Sequence, residues 1–113
     1  MRVSKIVFVL SMMFLSHAAM AEYKDTSNVT IQLISVWTSS GDILVQTNPK
    51  PDITGLTCTN DYWLTLDKDD LGYQATLSML LSAQATQRKV NISAQDNNGD
   101  QFCKLRRVIT LAN

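Results

Sequence analysis

Histidine and glutamate are nearly missing from this sequence. The one histidine, His17, and the one glutamate, Glu22, both lie in the first 22 of its 113 residues. Past that point no imidazole is left to act as a base. Ser–His and Cys–His nucleophile pairs are therefore excluded, and so are His-based zinc sites. A carboxylate pair would have to come from aspartates, and nothing in the spacing sets two of them around a cleft. The residues point away from an enzyme and call for no cofactor. The two cysteines, Cys58 and Cys103, are too far apart for a C-x-x-C redox or metal motif. An excess of positive charge is also lacking: without Arg2 and Lys5 there are 10 − 2 = 8 basic residues against ten acidic ones, a net of −2. Nucleic-acid binding normally needs a basic face. The one basic cluster, Lys104-Leu105-Arg106-Arg107, alternates along a strand and reads as a solvated strand face.

The first 21 residues have the pattern of a secretory signal peptide. Arg2 and Lys5 give a positive start, Ile6 to Leu15 is a short apolar core, and Ala19-Met20-Ala21 is an A-x-A cleavage site. The apolar run is too short for a comfortable membrane span. Cleavage would leave 113 − 21 = 92 residues, enough for one domain, 22–113. A chain of that size buries only about 60–65% of its unfolded surface, so a covalent staple would help it. Export to the periplasm or outside the cell is where a disulfide persists. A Cys58–Cys103 bridge would span 45 positions and stabilise the fold by roughly 4 kcal/mol on the loop-entropy estimate.

The long helical signal is Asp69 to Lys89. Tyr73, Leu77, Leu80, Leu81 and Gln84 fall at three- and four-residue spacing, with Ala75, Met79 and Ala83 beside them. Asp69 or Asp70 is suited to cap the start, and Arg88 and Lys89 suit the negative end of the dipole. Leu81 is expected on the buried face.

Short strands surround this helix. Glu22 to Asn28 is polar and reads as a loose lead-in. Val29 to Trp37 is the first strand, with Val29, Ile31, Leu33 and Trp37 on one face. Ile34 and Val36 make its second half apolar on the other face too, so it should be covered on both sides, by the helix or by another subunit. Thr38 to Asp42 is a turn and Ile43 to Thr47 the second strand. Asn48 to Asp61 is a long loop anchored by Cys58. Tyr62 to Asp67 is strand three, Val90 to Ala94 strand four, and Phe102 to Leu111 strand five. Asn98-Gly99 suits a hairpin turn, and the broken alternation at Arg106-Arg107 suggests a bulge or a sharp bend. The fold expected is mainly β with one helix: an OB-like five-stranded barrel, order β-β-β-α-β-β, with one disulfide.

Two acidic turns invite a calcium reading. Asp67 to Gly72 resembles the start of an EF-hand loop but has Ser78 where the bidentate Glu belongs, and Asp96 to Asp100 also lacks a closing Glu. They read better as a helix cap and a hairpin turn, so no metal is expected. Asn28-Val29-Thr30 and Asn91-Ile92-Ser93 are sequons that matter only in a host with N-glycosylation.

The residues that suggest a ligand are Trp37, Thr38, Ser39, Ser40 and Asp42. A flat aromatic beside hydroxyls and a carboxylate can stack on a sugar ring and bond its hydroxyls. OB folds bind on the face of strands two and three and at the loops joining strands one–two and four–five. The plain alternative is that Trp37 plugs the core and Trp63 is a packing or interface residue.

Gly41-Asp42-Ile43 after strand one, Cys58, the run Leu80-Leu81-Ser82-Ala83 continuing to Lys89-Val90-Asn91-Ile92, and Cys103 before the final strand resemble the binding (B) subunits of bacterial AB-type toxins, the subtilase-cytotoxin and pertussis-like groups. The resemblance implies a ring of five subunits that binds cell-surface glycans, with the helices facing the pore and a catalytic companion subunit alongside. It carries no sugar-contacting residue over by position. The chain departs from the pattern at Ala85-Thr86-Gln87, where a glycine near the helix end would be expected. Two functions follow: a secreted glycan-binding module that self-associates, or a periplasmic or secreted interaction or inhibitor protein without a sugar site.

Overall fold

The computed structural model describes residues 22–112, so the leader and its A-x-A site lie outside the described residues. Five strands and one helix follow in the order β1 (Tyr23–Val36), β2 (Ile43–Asn48), β3 (Asn60–Leu66), α1 (Tyr73–Thr86), β4 (Val90–Gln95) and β5 (Phe102–Thr110). The strands close into a barrel in the order β1-β2-β3-β5-β4, with β4 pairing back onto β1. All pairs are antiparallel except β3 with β5. This is the expected OB-like arrangement, with the helix between the third and fourth strands. Among the described residues every strand has a partner on both sides, which limits the free edge that could template aggregation.

The barrel is filled by alternate residues of its strands. Val29, Ile31, Ile43, Val45, Leu64, Leu66, Val90, Ile92, Ala94 and Leu105 are buried, and α1 adds Leu80 and Ala83. The disulfide Cys58–Cys103 joins the residues leading into β3 to β5, the one parallel pair, with Cα atoms 5.3 Å apart. It fastens the seam where the barrel closes.

Several local expectations are corrected. The polar lead-in is strand: Tyr23 to Thr26 pair with Gln95 to Ile92. Here the backbone supplies the bonding, and the side chains face solvent without an apolar alternation to announce it. The register then shifts between Thr26 and Val29, where Asn28 takes φ 57° and its N–H donates to Asn91 Oδ1 at 3.0 Å. A second shift lies between Ile31 and Leu33. That bulge turns Leu33 out of the barrel, half-exposed, and leaves Ile34 opposite buried Val45. Trp37 is 58% exposed and does not plug the core. The slip expected at Arg106-Arg107 is present: Ser93 pairs with Arg107 and Ala94 with Leu105, leaving Arg106 as the extra residue.

The helix begins at Tyr73, four residues after Asp69. Gly72 precedes it and no side chain caps it. Asp70 is engaged elsewhere, accepting from Lys104 Nζ at 3.0 Å. Leu80 is fully buried, whereas Leu81 is 49% exposed, so Leu81 is not on the core face. Arg88 and Lys89 fall beyond the last turn, and Arg88 donates to the Leu111 carbonyl at 3.1 Å. The missing glycine has a stand-in. Gln87 adopts the left-handed conformation (φ 53°). Its N–H reaches the Gln84 carbonyl, and the N–H of Arg88 reaches that of Ala83, as in a Schellman closure. The Gln87 side chain adds a bond to the Gln84 carbonyl at 2.8 Å.

The candidate ligand groove

The turn after β1 is built tightly. The N–H of Trp37 donates to the Asp42 carbonyl at 2.9 Å, and the N–H of Gly41 to the Trp37 carbonyl at 2.7 Å. Gly41 has φ 82°, and a Cβ there would stand 3.3 Å from Lys68 Cδ; glycine suits the position on both counts. Ser40 Oγ accepts from the Asp42 N–H at 3.2 Å. The segment between β3 and α1 braces the turn from behind. The N–H of Lys68 donates to Asp42 Oδ1 at 3.1 Å, and the Tyr73 hydroxyl donates to the Gly41 carbonyl at 2.8 Å. The first residue of the helix thus holds the loop that carries Trp37.

Beside this turn lies an open groove of about 210 Å³. Trp37 and Asp42 line it from the first turn, Leu44 and Thr65 from β2 and β3, Asp67 from just after β3, and Asn97, Asp100 and Phe102 from the β4–β5 hairpin and the start of β5. Of the five residues expected at the site, Trp37 and Asp42 line the groove. Thr38, Ser39 and Ser40 stand exposed on the adjoining turn. The remaining lining residues are far apart in sequence and meet only because the barrel closes. The expected use of the face of strands two and three and of the loop joining strands four–five pointed toward these regions without naming a residue, and nothing pointed to Asp67.

The hairpin wall is ordered by its own bonds. Asn98 and Gly99 take φ 51° and 79°, as the sequence suggested. The N–H of Phe102 donates to Asp100 Oδ1 at 3.0 Å, and Asn97 Nδ2 to the Phe102 carbonyl at 3.3 Å. The acidic turn Asp67 to Gly72 is tied by Lys104, whose ammonium lies 3.2 Å from Asp67 and 3.0 Å from Asp70. Hydrogen bonding to Asp70, with a smaller contribution from Asp67, raises the Lys104 pKa above its ordinary value. The ammonium thus engages Asp67, the first carboxylate of the calcium reading, while Asp69, the next one, is exposed and lies outside the pair. Asp96 accepts from both the N–H and the hydroxyl of Thr57. Asp96 also approaches Cys58 and Cys103, but their sulfurs are joined and offer no thiolate to a metal. In the basic cluster, Lys104 is paired and Arg106 stacks 3.8 Å over the Tyr23 ring; Arg107 is exposed.

No family model, curated protein or solved structure matches the chain.

Proposed function

We propose that this chain is a secreted, non-enzymatic glycan-binding module. The observation that carries the reading is Trp37, an aromatic held 58% exposed by a braced turn at the wall of a polar groove. Exposing a tryptophan forgoes burial worth a few kcal/mol, a cost that a small domain would recover by burying it in the core. An exposed ring stacks on the apolar face of a sugar, while carboxylate, amide and hydroxyl groups along the groove accept and donate to its hydroxyls. The groove lies where OB folds take oligosaccharides. The disulfide agrees with export, since such bonds persist outside the reducing cytosol.

Self-association belongs to the same reading. Leu33 and Leu81 are each about half exposed. Gln84, one turn from Leu81 on the same helix side, donates to the Gln32 carbonyl next to Leu33. The apolar groups of β1 and the helix therefore adjoin on the surface, as an interface between copies would need. Single sugar sites of this kind are weak, and a ring would raise avidity by presenting several together. A pentamer and a catalytic companion subunit are the assembly that the toxin B-subunit resemblance implies.

The test is a broad glycan array probed with the purified protein and with Trp37→Ala, beside a sizing measurement. Glycan binding that Trp37→Ala abolishes, from an oligomer, supports the reading. A monomer that binds no glycan would replace it with an interaction or inhibitor protein.

A further inference from the structure

We propose that the groove takes the non-acidic end of a glycan, a neutral or amine-bearing sugar, and rejects sugars that carry a carboxylate. The inference rests on the glycan-binding reading and adds the charge class of the ligand.

Three of the lining side chains are aspartates, Asp42, Asp67 and Asp100, and no lysine or arginine is among the lining residues. They come from three separate connections of the barrel and converge only in the folded protein. Asp42 and Asp100 each use Oδ1 on a backbone N–H, which orients the carboxylate without neutralising it. Asp67 has a cation, Lys104, but shares it with Asp70. The groove therefore carries unbalanced negative charge beside its aromatic wall.

The charge has opposite consequences for different sugars. A carboxylate is acceptor-only when ionised, so it matches the hydroxyl donors of a neutral ring and matches an ammonium better still. An acidic sugar would bring a fourth anion beside three aspartates in a groove whose lining residues include no lysine or arginine. Like-charge juxtaposition of this kind is how binding surfaces exclude wrong partners.

The experiment uses the intact exported protein on glycans that share a core and differ in their terminal residue. One set ends in an uncharged hexose, one in a hexosamine with its amine free, and one in sialic acid. Binding to the first two sets should exceed binding to the third by about tenfold or more, a difference of about 1.4 kcal/mol, and raised salt should narrow the gap. Asp100→Asn keeps the oxygen that accepts from Phe102 and removes the charge, so it should also narrow the gap. Equal or stronger binding to sialylated glycans would overturn the charge inference while leaving the glycan-binding reading in place. A gap that neither salt nor Asp100→Asn changes would overturn it too, because shape rather than charge would then be selecting. Binding to none of the three sets would overturn both.

Discussion

Two connections of this barrel have similar polar compositions and are built differently. The loop from Pro49 to Thr59 keeps its polar side chains exposed but ties several of its groups back to the rest of the protein. Cys58 is bridged to β5, Thr57 is bonded to Asp96, and the N–H of Asp52 donates to Thr26 Oγ1. Asp52 is held below its ordinary pKa, chiefly by the Thr54 hydroxyl and then by the Thr54 N–H. Ile53 and Leu56 pack against the core. The turn from Trp37 to Asp42 is fixed through its backbone and Asp42, while its indole and the Thr38 and Ser39 side chains are left at the surface. A long loop can be ordered for stability alone. A short turn that is fixed and yet presents an aromatic is the feature on which the ligand proposal rests.

The comparison makes the stapled loop the costlier one to disturb. Replacing Cys58 and Cys103 together by serine frees a loop of 45 positions. It should lower the unfolding free energy by about 4 kcal/mol, read from the denaturant midpoint of the double variant. A loss under about 1 kcal/mol would mean that the hydrogen bonds of the loop hold it unaided.

The helix that braces the turn sharpens the contrast. Leu80 is fully buried, and Leu80→Ala should cost about 2–5 kcal/mol. Its neighbour Leu81 is half-exposed in the single chain, and Leu81→Ala should cost under about 1 kcal/mol there. If copies pack through Leu81, the same variant should shift the assembly toward monomer, measured by sedimentation.

That pair also shows what the sequence could and could not reveal. Helical spacing placed Leu77, Leu80 and Leu81 in one broad stripe, and spacing alone does not locate its centre. The strand count, the helix between strands three and four, the Asn98-Gly99 hairpin and the bulge at Arg106 were legible, because each has a local cause in periodicity or turn chemistry. The first half of β1 was not: its order comes from pairing with β4, and its side chains carry no alternation. The bulge between Ile31 and Leu33 hid the outward turn of Leu33 for the same reason. Trp37 and Asp42 could be named as site candidates from their neighbours. Asp67, Asp100 and Phe102 could not, since only barrel closure brings them to the same groove.

A smaller effect concerns Lys104, which ties the segment between β3 and α1 and so supports the turn from behind. Its folded pKa is raised above the ordinary 10.5, first by the hydrogen bond to Asp70. The folded state thus holds this proton more tightly than the unfolded chain does. The stabilisation is complete below about pH 10.5 and fades as pH climbs through the raised folded value. Partly exposed pairs of this kind contribute up to about 1 kcal/mol. Lys104→Met should lower stability by that order at pH 7, and the difference from wild type should shrink above pH 10.5. A constant difference across that range would assign the effect to packing of the lysine stem.

The smallest expected effect is the one that bears most on function. Ser39 lies on the outer turn, so Ser39→Ala should shift the unfolding free energy by under about 0.5 kcal/mol, and Trp37→Ala, which removes a ring that is more than half exposed, by no more than about 1 kcal/mol. Asp42→Ala is a poorer probe, because it would strip the Lys68 N–H of its acceptor and loosen the turn. Trp37→Ala therefore separates binding from folding: a melting temperature close to wild type together with loss of array binding assigns the indole to the ligand. A large drop in melting temperature would show instead that the ring is part of what holds the barrel end together, and the contrast between the stapled loop and the presenting turn would then collapse.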